Sequence, residues 1–264
     1  MKSLFQLHRK VLIGVVHLKP LPGAPRHRQT MADIIKYAVA DAVSYERGGA
    51  HALFIENFGD VPFTKTNVAP ETIAAMSAAG CAVRAAVRLP IGFNVLRNDA
   101  RAALALCAAC GGDFIRVNVH SGAMLTDQGL IEGDAYNTVR YRERIAPGAR
   151  IFADVHVKHA VPLGGESLED AAGDTAERGL ADALIVSGVG TGRAASLRDV
   201  ERVRQACPQA KLLIGSGVNA GNVQEFLRIA EGVIVGSSLK RDGKLTNPVD
   251  PKRVAALAQL MGKI

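Results

Sequence analysis

Eight short runs of β-branched and aliphatic residues alternate with longer, Ala-rich amphipathic stretches, and no other feature constrains the fold of this chain as tightly. The runs are Val11–Leu18, Ala50–Glu56, Pro90–Leu96, Asp113–Asn118, Arg150–His156, Ala181–Ser187, Lys211–Gly215 and Gly232–Gly236. Helical periodicity follows each one, near Met31–Arg47, Pro70–Val87, Asp99–Ala109, Tyr136–Ile145, Ser167–Arg178, Ser196–Ala206, Asn219–Ala230 and Pro251–Met261. Strand, helix, strand in repetition implies crossover units and a parallel sheet. Runs such as Leu184-Ile185-Val186 and Val233-Ile234-Val235 are apolar without alternation, as strands covered on both faces must be. Helices are therefore expected outside the sheet. Gly49, Gly112, Gly148, Gly179 and Gly232 stand where a left-handed cap ends a helix.

Eight such units in 264 residues fit one α/β domain, a (β/α)8 TIM barrel of roughly 250 residues. No linker or low-complexity segment divides the chain, so residues 1–264 are expected to form a single barrel domain. An open doubly wound sheet is the competing architecture, but its marker is missing. Gly188-Val189-Gly190-Thr191-Gly192 has the wrong spacing for G-x-G-x-x-G and falls late in the chain, and there is no G-x-x-x-x-G-K-[ST] loop. Aromatic residues are only 5%, so Ala, Val, Ile and Leu must fill most of the interior.

Barrel chemistry gathers at the carboxyl ends of the strands. After the last three strands come Ser187-Gly188-Val189-Gly190-Thr191-Gly192, Ile214-Gly215-Ser216-Gly217-Val218 and Val235-Gly236-Ser237-Ser238-Leu239. Glycine lets the backbone approach an anion, serine adds a hydroxyl, and the first N–H groups of a short helix point at negative charge. Any one of these loops reads equally well as a tight strand-to-helix turn. Three at consecutive terminal strands favour a phosphate cradle built from Ser187, Gly188, Gly215, Ser216, Gly217, Gly236, Ser237 and Ser238.

The other strand ends also finish in polar side chains: His17, Glu56 and Asn57, Asn94, Arg116, Asn118 and His120, then Asp154, His156 and Lys158. His17, Asn94 and Asn118 are assigned to substrate binding, and Glu56, Asp154, His156 and Lys158 to catalysis. Asp154, His156 and Lys158 alternate, so a strand running through them turns all three toward the lumen. There they supply acid, base and electrophile; with a depressed pKa, Lys158 would alternatively form a Schiff base. The plainer reading is a structural ion pair beside a core histidine. No cofactor is firmly expected. Glu56 and Asp154 with His17, His120 or His156 have donor chemistry suited to a divalent metal, but the spacing does not demand one and no metal ligand is assigned.

The formal charge of +7 is spread along helix exteriors, as at Arg198, Arg202 and Arg204, with no basic block and no interleaved aromatics, so nucleic acid is not expected as a partner. A small phosphorylated molecule is. Cys81, Cys107, Cys110 and Cys207 are too few for a disulfide framework, and Cys107 and Cys110 close a helix rather than open one, as a redox pair would. These thiols read as buried and structural. With a polar amino end and no apolar run of membrane-spanning length, a cytoplasmic protein without a membrane span is expected. The long loop Ser121–Asp134 and the proline-rich Lys19–Pro25 read as covers for a ligand or as contacts in a homo-oligomer, which is the expected state.

Val16-His17-Leu18-Lys19-Pro20-Leu21-Pro22-Gly23, Glu56-Asn57-Phe58-Gly59-Asp60-Val61-Pro62-Phe63, Asn94-Val95-Leu96-Arg97-Asn98-Asp99, Asp154-Val155-His156-Val157-Lys158-His159-Ala160 and Gly236-Ser237-Ser238-Leu239-Lys240 resemble the motifs of the BtpA/SgcQ family nearly from end to end. The resemblance implies an architecture like that of ribulose-phosphate-binding barrels and transfers no catalytic assignment. One branch of the family is named for photosystem I biogenesis, the other for a gene region of sugar uptake and metabolism. Two functions follow. The first is an enzyme on a phosphorylated sugar or related phosphometabolite: an isomerase, epimerase or aldolase-type lyase that abstracts a proton beside a carbonyl. The second is a non-catalytic assembly or stability factor for a membrane complex such as photosystem I, which a large exposed apolar patch would favour.

Overall fold

The computed structural model describes residues 4–188, 190 and 193–262. Eight parallel strands close into a barrel: β1 (Val11–His17), β2 (Ala52–Glu56), β3 (Ile91–Asn94), β4 (Phe114–Val117), β7 (Arg150–Val155), β9 (Ala183–Val186), β10 (Leu212–Ile214) and β11 (Gly232–Val235). Around the ring the order is β1-β11-β10-β9-β7-β4-β3-β2. The architecture is the expected (β/α)8 barrel. All eight strand runs appear, trimmed at their ends.

Outside lie α2 (Met31–Arg47), α3 (Pro70–Ala86), α4 (Ala100–Cys110), α5 (Ala135–Ile145), α6 (Leu168–Gly173), α7 (Leu197–Ala206), α8 (Val223–Leu227) and α9 (Pro251–Met261). Side-chain caps start several of them, with Thr30, Asp99, Ser167, Ser196 and Asp250 each accepting a backbone N–H of the first turn. Two expected helices are shorter than their periodicity suggests. Ser167–Arg178 breaks after Gly173 into a π-helical turn, Asp174–Arg178. Asn219–Ala230 keeps only α8, because Asn222 Oδ1 accepts the Asn219 N–H and Asn222 Nδ2 donates to Gly217 O, competing with the helical ladder.

Period-two alternation divides the strands between two cores. Residues turned outward, such as Leu12, Leu53, Ile115 and Val233, join the helices in one large cluster. Residues turned inward, among them Val11, Ile13, Val15, Phe54, Phe114, Phe152 and Ile185, fill the lumen. Phe54 stands edge-on to Phe114 at 4.8 Å, and Phe114 stacks on Phe152 at 5.0 Å. The short helix α1 (Leu4–Leu7) closes the amino-terminal end of the lumen, with Phe5 5.7 Å from Phe152. The base of the barrel is thus a solid apolar core, and polar chemistry is confined to its carboxyl end.

The long Ser121–Asp134 segment is not an irregular loop. It forms a hairpin of β5 (Ala123–Thr126) and β6 (Gly129–Glu132), and β8 (Ala160–Pro162) pairs with β5 on its other side. Met124 and Ile131 turn in against Val119 and Val157, at the ends of β4 and β7. The other proposed cover, Lys19–Pro25, is clamped in place, with Leu21 fully buried and its N–H bonded to Asp60 Oδ1 at 2.8 Å.

Candidate active site

Two positions above the phenylalanine layer, the inward residues become polar: His17 on β1, Glu56 on β2, Asn94 on β3, Arg116 on β4 and Asp154 on β7. The switch comes at the last inward position of each of these strands, where the lumen opens. Arg116 and Asp154, on the neighbouring strands β4 and β7, form a bidentate pair, Nε to Oδ2 and Nη2 to Oδ1, both 2.8 Å. Asn118 Nδ2 donates to Asp154 Oδ2 at 3.1 Å and Ser187 Oγ to Asp154 Oδ1 at 2.9 Å. Asn94 Nδ2 donates to Asn118 Oδ1 at 3.0 Å. Asp154 therefore has both oxygens spent on a buried guanidinium and two neutral donors. In this arrangement it holds Arg116, Asn118 and Ser187 in place rather than standing ready as a base.

Glu56 and Lys158 contrast with it. The Glu56 side chain is buried, and among the described residues neither its carboxylate nor the Lys158 ammonium has a hydrogen bond or ion pair. Both line one cavity of about 40 Å³ with His17, Arg116, Gly215, Ser216, Gly217, Gly236 and Ser237. By this measure a water needs roughly 10–15 Å³, so the space suits a single oxyanion rather than a whole sugar phosphate. Burial and then the neighbouring Arg116 push the Lys158 ammonium below its ordinary value, with Arg97 adding to this and Glu56 and Asp154 opposing it. Burial, followed by the charges of Lys240 and Lys158, lowers His17 to about 3. His17 is consequently a neutral imidazole at physiological pH. Its Nδ1 and the Oδ1 of Asn94 are both buried without a partner. His17 lines the cavity, and an orphaned polar atom on such a residue marks a place where a ligand or water completes the bonding.

The three glycine-rich turns meet. Ser216 Oγ accepts the Gly188 N–H at 2.7 Å and donates to Arg193 O at 2.9 Å, while Ser238 Oγ donates to Val218 O at 2.7 Å. Gly217 has φ +67°, and a Cβ there would overlap the Ala194 backbone; a Cβ on Gly236 would lie 2.5 Å from His17 Cε1. Only glycine permits this closure. The Ser237 and Ser238 N–H groups open the 3-10 turn Ser237–Leu239 and have no backbone acceptor among the described residues. Of the expected cradle, Gly215, Ser216, Gly217, Gly236 and Ser237 line the cavity, whereas Ser187, Gly188 and Ser238 serve as braces. Val189, Thr191 and Gly192 of the third turn lie outside the described residues.

His156 departs from the expected shared face. Strand β7 ends at Val155, and His156 has φ +50°, so the alternation breaks before it. The charges acting on it are Glu166, Arg202, Asp199 and Glu169, toward α6 and α7, and burial lowers its pKa. Only Asp154 and Lys158 of the three reach the lumen. His120 is also placed elsewhere, its Nε2 donating to Gly179 O at 2.7 Å. Among the described residues no three His, Cys, Asp or Glu side chains gather as a metal site, and Asp154, bound on both oxygens, does not fit the part of ligand. Sequence reasoning missed Arg97, which is buried and donates to Lys158 O. Its signal was a charged residue in the Asn94–Asp99 motif just after a strand.

A larger hollow, about 660 Å³, lies elsewhere, on the outer surface along α4 and α5 and lined by Arg101, Arg140 and Arg144. Volume alone would select it. The lumen cavity is the better candidate because the unpaired ionisable groups and the glycine turns converge there.

A family model described as the BtpA family matches residues 8–263. The "Photosystem I biogenesis protein BtpA" of Synechocystis sp. is 45% identical over 259 residues, covering 98% of this chain and 90% of that one. In architecture the chain is similar to N-(5'-phosphoribosyl)anthranilate isomerase from Pyrococcus furiosus, with a TM-score of 0.59, 12% identity and coverage of 97% of this chain and 100% of that one. It is also similar to tryptophan synthase from M. tuberculosis, with a TM-score of 0.62, 18% identity and 97% of each chain. At these identities the likeness to the two enzymes shows the fold alone.

Proposed function

The chain belongs to the BtpA family, and on that premise we propose that its barrel mouth is the active site of an enzyme acting on a small phosphorylated carbonyl compound, of the sugar phosphate class. The observation that carries this reading is the pairing of an oxyanion-sized cavity with two unpaired ionisable side chains, Glu56 and Lys158, on its wall. Gly217, Gly236 and Ser237 hold the phosphate through backbone N–H groups and a hydroxyl. Glu56 abstracts a proton beside the carbonyl, and Lys158 stabilises the charge that develops. Isomerisation, epimerisation and carbon–carbon cleavage all share that step. With Arg116, Arg97 and Lys158 set against Glu56 and Asp154, the mouth carries one excess positive charge, which draws an anionic substrate in. The fold neighbours support the reading by analogy only.

The test is a thermal-shift screen with inorganic phosphate and phosphosugars, with and without a divalent metal, on the wild type and Ser237→Asp. Ligand at 100 times its Kd stabilises by about 2.7 kcal/mol. A rise in Tm that Ser237→Asp abolishes supports the site; no rise with any phosphorylated compound refutes it.

One observation favours the assembly-factor reading. On the small sheet, Leu130, Leu125 and Val161 stand directly opposite one another on three adjacent strands, exposed by 39%, 54% and 64%, and Leu163 beside them is exposed by 56%. An apolar row of this kind is a place for another protein to dock. Leu125→Ser with Val161→Ser separates the two functions, because the enzyme reading predicts an unaltered phosphate response.

A further inference from the structure

The lysine at the mouth is isolated in a way that structural lysines are not. Lys240, which is buried, is tied to Asp41, and the half-buried Lys10 donates to Ala230 O at 2.8 Å. Lys158 lacks any such partner among the described residues, although its backbone is fixed by Arg97, which donates to Lys158 O. It shares its cavity with Glu56, and both oxygens of the Asp154 carboxylate are already bonded to Arg116. A half-buried ammonium without a protein acceptor, beside two guanidiniums, gives up its proton more readily than an exposed one. Burial and Arg116 favour that neutral form.

We propose that Lys158 Nζ is a covalent nucleophile that condenses with an aldehyde or ketone carbonyl of a phosphorylated substrate to form an imine. The inference rests on the active-site reading above and narrows it to lysine-dependent chemistry. The Lys158 ammonium first passes its proton to the Glu56 carboxylate, which leaves the net charge of the mouth unchanged; the neutral amine then attacks the carbonyl carbon, a proton moves from nitrogen to oxygen, and a carbinolamine forms. The C–O bond then breaks and the oxygen leaves as water, taking its proton from the Glu56 carboxyl group. The protonated imine withdraws electrons, so Glu56, now a carboxylate, takes the proton from the adjacent carbon to leave an enamine. Return of a proton and addition of water release the carbonyl product and the free amine. No oxidant or reductant enters.

The experiment incubates the full chain with dihydroxyacetone phosphate or glyceraldehyde 3-phosphate and sodium cyanoborohydride, then measures intact mass and maps the modified peptide. The expected result is one adduct per chain, of the probe's mass less one oxygen, on Lys158. It is absent from Lys158→Arg and Lys158→Met, while inorganic phosphate still raises the Tm of at least one of these variants. No adduct from either probe, or adducts scattered over surface lysines and unchanged in the variants, overturns the imine. If the Tm of the wild type nevertheless rises with phosphate, the anion site stands and the lysine chemistry alone fails; if it does not rise, both fail.

Discussion

Replacing Asp154 with leucine removes the acceptor that organises the lumen. Four hydrogen bonds end on its two oxygens: two from Arg116, one from Asn118 and one from Ser187. The guanidinium is left buried, with no carboxylate on the strand beside it and with apolar residues beneath. Breaking a buried ion pair by removing one partner costs about 3–5 kcal/mol. The orphaned Asn118 and Ser187 donors add about 1 kcal/mol each. A loss of roughly 5 kcal/mol or more is expected, and at about 2–4 °C per kcal/mol the melting temperature falls by on the order of 10 °C. Arg116→Met alone should cost about as much, because it strands the carboxylate instead. The double variant Arg116→Met with Asp154→Leu should recover most of the loss, since well-packed hydrophobic residues often replace such a pair without penalty. Urea unfolding of the four proteins measures the coupling directly. A single Asp154→Leu loss under about 1 kcal/mol, or a double variant as unstable as the sum of the singles, would refute the view that Asp154 is a fixed scaffold.

Other perturbations probe the remaining groups. Glu56→Gln replaces an unpartnered buried carboxylate with a neutral amide, so its urea midpoint should hold or rise while turnover of an identified substrate disappears; a clear loss of stability would show that Glu56 is structural. Gly217→Ala meets the Ala194 backbone at φ +67°, and should cost about 2–4 kcal/mol and abolish the phosphate-induced rise in Tm. His17 has its folded pKa near 3 against 6.5 when unfolded, so between those values only the unfolded chain binds the proton. Its contribution is complete above pH 6.5 and declines as the pH falls toward 3, by up to about 1.4 kcal/mol per unit. Stability measured from pH 7 to 5 should therefore drop less steeply in His17→Gln, and an unchanged slope would contradict the assignment. Leu125→Ser with Val161→Ser should leave the unfolding free energy within about 0.5 kcal/mol of wild type, since both side chains face solvent, while any self-association seen in sedimentation weakens.

The barrel was legible because its evidence is local. β-Branched runs at regular spacing declare strands, and the last inward residue of each strand can be counted from them, which is how His17, Glu56, Asn94, Arg116 and Asp154 come to stand in one ring. Pairings within that ring were not legible. Arg116 and Asp154 are 38 residues apart and meet only because β4 and β7 are neighbours. The counting also failed where the backbone left the strand, since a left-handed residue at His156 reverses the face that alternation predicts. The hairpin was hidden by its size. Its strands have four residues each and alternate too briefly to stand out from a loop, and their partner, β8, lies beyond the next barrel strand. Ser238 and Ser216 illustrate a subtler limit, because a serine in a glycine-rich turn looks the same in sequence whether its hydroxyl meets a ligand or braces the next loop.

The most direct test of the account is a crystal of the protein soaked in tungstate, whose anomalous scattering locates a tetrahedral oxyanion without a known substrate. One dominant site is expected within hydrogen-bonding distance of the Ser237 N–H, beside Gly217 and Gly236 and facing Lys158. Density found instead in the outer groove at Arg101 and Arg144, with the lumen cavity empty, would contradict it.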